Sequence, residues 1–123
     1  MISFEDFLIE DGTPIYLQVI RHIKRGIAAG SVKNGDEVPS RRVLSALLGV
    51  NPNTVQKAYK ILEDEQLMES RTGAKSYMVL SEESIATIRE ELLRADATVA
   101  VAALKQMGLS KEEALALIET YWE

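Results

Sequence analysis

Cysteine is missing altogether from this 123-residue chain, which removes a disulfide framework, a thiol nucleophile and a thiolate metal site in one stroke. Histidine occurs once. His22 has no Cys, Asp or Glu four residues to either side, so neither a metal site nor an imidazole base finds a partner, and it reads as a surface residue. No run approaches the roughly 20 apolar residues needed to span a bilayer, so no membrane partner is expected. The opening MISFEDFLIEDG is acidic and lacks a cationic start followed by an apolar block, so neither a secretory signal nor a transit peptide fits and a cytoplasmic location is expected. The carboxylate pairs Glu82-Glu83, Glu90-Glu91 and Glu112-Glu113 are adjacent on helices, where neighbours diverge, and read as solvated surface. With no nucleophile and base supplied together, no enzyme and no cofactor are expected.

What is present is an ordinary globular composition, 46% apolar and 27% charged, with a net charge of −5. The length suits one domain, or a small domain with an appendage. The negative total looks wrong for a protein that binds polyanions, but it is unevenly distributed. Through residue 80 ten Lys or Arg balance ten Asp or Glu, while from residue 81 onward four face nine, which accounts for the whole excess. A local basic patch is therefore allowed in the first 80 residues.

The first ordered signal is T-P-I-Y at 13–16, where Thr13 is suited to cap a helix and Pro14 to occupy its first turn. Ile15, Val19, Ile23 and Ile27 then recur every four residues, with Tyr16 and Ile20 beside them, as one buried stripe ending at Gly30. SVKNGDEVPS reads as turn and short extended segment. A second helix opens at Ser40 and points Val43, Leu44, Leu47 and Leu48 inward; Gly49 ends it. Asn51-Pro52 starts a third helix with Val55, Ala58, Tyr59 and Leu62 as its inward stripe. Two helices joined by about four residues around a glycine make a helix-turn-helix. QLMES and KSYMVL, on either side of Arg71-Thr72-Gly73-Ala74, form a candidate hairpin. Ser81 caps a long helix with Ile85, Ile88, Leu92, Ala95, Val99 and Ala102 near heptad spacing. Gly108 stops it, and Ser110-Lys-Glu-Glu113 is a capping box opening a last helix along Ala114, Leu117, Ile118 and Tyr121.

Opposite the inward stripe of the third helix stand Asn53, Thr54, Gln56, Lys57 and Lys60, crowded toward its N-terminal half, with no acid from Asn51 to Leu62. Asn and Gln can grip adenine edges, Lys can reach guanine or phosphate, and a threonine hydroxyl with exposed helix N–H groups can hold a phosphate. The N-terminal end of the second helix of a helix-turn-helix is also the part that enters a major groove. Arg41 and Arg42 open the preceding helix, and Arg71 and Lys75 flank the hairpin turn, a distribution suited to gripping groove and backbone together. A solvated outer face is the ordinary reading of such residues on an amphipathic helix. Position in a tight helix-turn-helix, absence of acid and a hairpin with basic flanks together favour double-stranded DNA.

The stretches PIYLQVIRHIKRGIAAG, VPSRRVLSALLGVNPNTVQKAYKILEDE and SRTGAKSYMV resemble the GntR family of bacterial transcription factors over about residues 12–80, and the short helical tail resembles its YtrA-like subfamily. The resemblance implies a mainly α fold with a small β-wing: a winged helix-turn-helix over residues 1–80 and a helical dimerisation module over 81–123. It implies that Arg42 contacts DNA after Pro-Ser-x and that Thr54 sits near the phosphates. Asn51, Asn53, Gln56 and Lys57 match reading positions that vary with the operator, and Gly73 matches the first glycine of the wing tip. The dimer would use Ile85, Ile88, Leu92, Val99, Leu117, Ile118, Tyr121 and Trp122. Pro52 stands where many relatives have arginine, Gln66 replaces the glycine of Glu-Gly-Leu, and Lys75 replaces the second wing glycine.

Together these expectations describe a homodimeric repressor that binds a palindromic operator and controls a transporter operon. An unidentified small-molecule effector is a further expected partner, although about 43 residues are few for an effector domain. The competing class is a winged helix used as a protein-interaction module through its acidic tail.

Overall fold

The computed structural model describes residues 1–71 and 75–123, and the chain forms two compact units, Met1–Arg89 and Glu90–Glu123. The first unit carries α1 (Ile15–Ala29), β1 (Glu37–Val38), α2 (Arg41–Leu48), α3 (Pro52–Asp64), β2 (Met68–Arg71), β3 (Lys75–Met78) and the start of α4 (Glu82–Gln106). The strands form an antiparallel sheet in the order β1-β3-β2, with Glu37 opposite Tyr77, Met68 opposite Met78 and Arg71 opposite Lys75. The hairpin read from QLMES and KSYMVL is therefore present, and the extended segment after α1 joins it as a third strand. Gly73 lies outside the described residues.

Spacing of four along α1 buries Val19, Ile23 and Ile27 completely or nearly so, against the Val55, Ala58, Tyr59 and Leu62 stripe of α3. Each large aliphatic side chain so buried contributes about 1.5–3 kcal/mol. Gly26 lets the chain after α1 fold back tightly: its carbonyl accepts from the N–H groups of Ser31 and Val32, and a Cβ there would lie 2.4 Å from Cγ2 of buried Val32. Gly26→Ala is expected to lower stability by roughly 1–3 kcal/mol in urea unfolding, because overpacking outweighs alanine's better helix propensity.

Three expectations are corrected by the structure. Pro14, not Thr13, is the N-cap of α1, and no side chain caps it; the Thr13 carbonyl instead accepts from Nε2 of buried Gln18 at 2.7 Å. On α2 only Leu44 and Ser45 are buried and Leu48 half-buried, while Val43 and Leu47 are exposed. At about 100° per residue, positions 44, 45 and 48 share an arc that excludes 43 and 47. His22 is half-buried rather than a surface residue. Its ring lies 4.5 Å from Phe4 and 5.3 Å from Phe7, and its Nε2 donates to the Ser3 carbonyl at 2.8 Å. The N-terminal segment is thereby docked, with Ile2 N–H donating to the Glu37 carbonyl at 3.0 Å.

Ser81 begins α4 as expected, its Oγ accepting from Ser84 N–H at 3.0 Å. Ile88, assigned by its heptad position to a dimer seam, is buried in the first unit, where Arg89 Nη1 also donates to the Ala28 carbonyl at 2.6 Å. The second unit holds the rest of α4, a turn at Gly108 with φ +81°, and α5 (Lys111–Tyr121). The capping box is formed: Ser110 Oγ accepts from Glu113 N–H at 3.2 Å and Glu113 Oε1 accepts from Ser110 N–H at 2.9 Å. The Ser110 backbone bond, then its hydroxyl, holds the Glu113 carboxyl below its ordinary range. No residue from 90 to 123 is buried.

Candidate nucleic-acid interface

The start of α3 is set by three residues in sequence. Gly49 takes φ +68°, which an L side chain resists, and ends α2. Asn51 is extended and its Oδ1 accepts from Asn53 N–H at 2.8 Å; Pro52 then occupies the first helical position. The middle of α3 is pinned by the Tyr59 hydroxyl, which donates to the Pro39 carbonyl at 2.6 Å. Burial pushes the Tyr59 phenol well above its ordinary pKa, with Arg41 pulling weakly the other way, so the proton stays in this bond at neutral pH.

This framework brings Arg41, Arg42, Asn53 and Gln56 to the walls of one shallow groove, with Pro52 at its edge. Arg41 Nη1 donates to Gln56 Oε1 across it. Arg42 is exposed and makes no ion pair among the described residues. Lys57, on the next exposed position, holds its Nζ 4.1 Å from the centroid of the Tyr16 ring, a cation–π contact. Thr54 is half-buried and its N–H donates to the Asn51 carbonyl.

The other basic side chains expected at the interface sit against local acids. Lys60 Nζ lies 3.3 Å from Asp64 Oδ1, one turn along α3, and both side chains are largely exposed. Arg71 Nη2 is 2.8 Å from Glu69 Oε1 while its guanidinium lies 4.3 Å above the Tyr77 ring; Lys75 Nζ is 4.0 Å from Glu37 Oε1. Solvated pairs of this kind contribute about 0–1 kcal/mol and are readily exchanged for a phosphate. Tyr16 is the residue that the sequence does not reveal. Its spacing places it beside the core stripe of α1, and its role as a shelf for Lys57 depends on a tertiary approach that no local pattern announces.

Among the described residues there is no group of acidic or imidazole side chains able to hold a metal and no helix long and apolar enough to cross a membrane. A profile of the family described as "Bacterial regulatory proteins, gntR family" matches residues 15–77. The chain belongs to the GntR family. Members of the GntR family are transcriptional regulators rather than enzymes, and the winged helix-turn-helix described above is their fold. The chain is 31% identical over 118 residues to the uncharacterized HTH-type transcriptional regulator YhcF of Bacillus subtilis, covering 96% of this chain and 98% of that one. It is 41% identical over 86 residues to the HTH-type transcriptional repressor YtrA of Bacillus subtilis, covering 65% of this chain and 66% of that one, and within the GntR family it is YtrA-like.

Among solved structures, a GntR family transcriptional regulator from Listeria monocytogenes superposes with a TM-score of 0.78 at 27% identity, over 91% of this chain and 98% of that one. The DNA-binding domain of AraR in complex with operator ORX1 superposes with a TM-score of 0.51 at 26% identity, over 64% of this chain and 95% of that one. Gln66, which stands where the resemblance to the family leads one to expect glycine, takes φ +63°, so the turn out of α3 is left-handed with a side chain attached. The same turn is closed by Leu67 N–H, which donates to the Leu62 carbonyl at 2.9 Å.

Proposed function

We propose that this GntR-family regulator is a homodimeric repressor that grips a palindromic operator, with α3 of each protomer in a major groove. The observation that carries the reading is the acid-free N-terminal half of α3, which presents Asn53, Gln56 and Lys57 beside Arg41 and Arg42 at the opening of α2. Asn53, Gln56 and Lys57 select bases; Arg42, Thr54, Lys60 and the wing residues Arg71 and Lys75 hold backbone phosphates. Repression follows the likeness to YtrA, which is named a transcriptional repressor; control of a transporter operon rests only on the resemblance of the sequence to the YtrA-like subfamily.

Residues 1–80 serve as the DNA-binding domain and residues 81–123 as the dimerisation module. The start of α4 through Arg89 belongs to the first unit, while the second unit, Glu90–Glu123, supports a separate tail physically. It exposes Leu93, Val99, Leu117, Ile118, Tyr121 and Trp122 and buries none of its own side chains. Helices without a core of their own are marginal in water, so a second copy of the chain is the cover that stabilises them. Two reading helices on a twofold axis then face half-sites about one helical turn apart.

Equilibrium titration of a bound duplex at increasing salt tests the reading. A dimer that neutralises about six or more phosphates gives a log affinity against log salt slope steeper than about −5. Affinity that hardly changes with salt would contradict it and favour an interaction module that works through the acidic tail.

A further inference from the structure

We infer that the joint seating the start of α4 on the winged helix sets the half-site spacing that the dimer accepts, with Ile88 and Arg89 as its positioning residues. The inference rests on the dimeric operator binding proposed above and concerns the separation of half-sites, not whether DNA is bound. The chain is held as it passes from β3 into α4. Val79 N–H donates to the Leu67 carbonyl at 2.9 Å and Leu80 N–H to Asn34 Oδ1 at 2.8 Å, and the Leu80 side chain is buried. Further along α4, Ile88 is buried in the same unit. A helix gripped at its entry and again about 10 Å along its axis does not swivel about a single point.

Arg89 closes the joint. Its Nη1 donates at 2.6 Å to the carbonyl of Ala28, in the last turn of α1, where carbonyls have no partner within their own helix. α1 has no basic residue in its last turn, so the cation that complements the negative end of its dipole comes from α4, 61 residues away in the chain. α1 is also the helix that packs on α3, so Arg89 ties the exit of the chain to the element that supports the reading helix. Beyond Arg89 no side chain is buried, and α4 runs to Gln106 without a glycine or proline, common causes of a sharp kink. Its direction of departure is therefore decided by contacts of the first unit. One base pair added between half-sites moves the second by about 3.4 Å and turns it by about 35°, a change that a held exit resists and a loose one follows.

The test uses the full chain and the selected inverted repeat with its half-sites moved one base pair closer or further apart. The wild-type chain is expected to lose about tenfold or more in affinity at either altered spacing, and Ile88→Ala with Arg89→Ala to lose about threefold or less. Each loss is a ratio within one variant, so a change in total affinity does not enter it. Arg89→Ala alone leaves the core whole and should lower the loss at least about twofold, while Arg89→Lys, which keeps a cation at the end of α1, should restore it. Sedimentation and a thermal melt accompany each variant, and the single variant decides if the double one does not fold. A wild type indifferent to spacing, a loss unmoved in the folded variants, or variants that become monomers would each overturn the inference while leaving operator binding intact. Selection that yields no inverted repeat would instead overturn the operator-binding reading.

Discussion

Alanine at both Arg42 and Lys57 is expected to weaken operator binding by roughly 100-fold or more, since removing one good side-chain grip on the duplex costs about 1–3 kcal/mol and each protomer of the dimer gives up two. The fold should not notice. Arg42 is exposed and without an ion pair among the described residues, and the contact of Lys57 with the Tyr16 ring is worth about 0.5–1 kcal/mol at an exposed site. Fluorescence anisotropy on the operator duplex, with a thermal melt of the same sample, separates the two effects. Binding at wild-type strength with an unchanged melt would show that the assigned face of α3 is wrong.

The second large effect concerns the second unit. Leu117 and Ile118 are each about two-fifths exposed within one chain, at 41% and 42%, so glutamate at both costs the protomer little but places four charges in a twofold interface. Leu117→Glu with Ile118→Glu is expected to give a monomer by sedimentation and to lower operator affinity by about 10²–10⁴-fold, because the second half-site no longer binds as an intramolecular event. A variant that stays dimeric and binds as the wild type does would remove α5 from the interface. A wild-type chain that is monomeric at binding concentrations would remove the dimer itself.

Much of the fold could be read from residues whose local chemistry allows one solution. Asn51-Pro52 can hardly do other than open a helix, and the Val55, Ala58, Tyr59, Leu62 stripe points one way at helical spacing. The hairpin, the Ser40 cap and the Ser110 to Glu113 capping box are equally local. The readings that needed correction depended on what other elements do. Val43 and Leu47 are apolar and well spaced, yet an eight-residue helix packed on α3 buries a narrower arc, which Ser45 enters by donating its Oγ proton to the Arg42 carbonyl at 3.0 Å. Ile88 fits a heptad equally well as core or as seam, and tertiary packing assigns it to the core of the first unit.

The same division runs through the interface. That the N-terminal half of α3 carries an acid-free polar face was legible, because charge and spacing along one helix are sequence properties. The pairs that orient the face were not. Arg41 meets Gln56, and Tyr16 meets Lys57, across different helices, and only the packing of α1 and α2 on α3 brings them together. β1, at two residues, was too short to show a strand period and is identified by its pairing with β3.

The claim on which the account stands is that two copies of this chain present α3 to a palindrome, and selection of bound duplexes from a random pool by the full chain tests it most directly. The prediction is an enriched inverted repeat whose half-sites lie about one helical turn apart. A pool that emerges without sequence preference, or with a single asymmetric site bound by one chain, would contradict it.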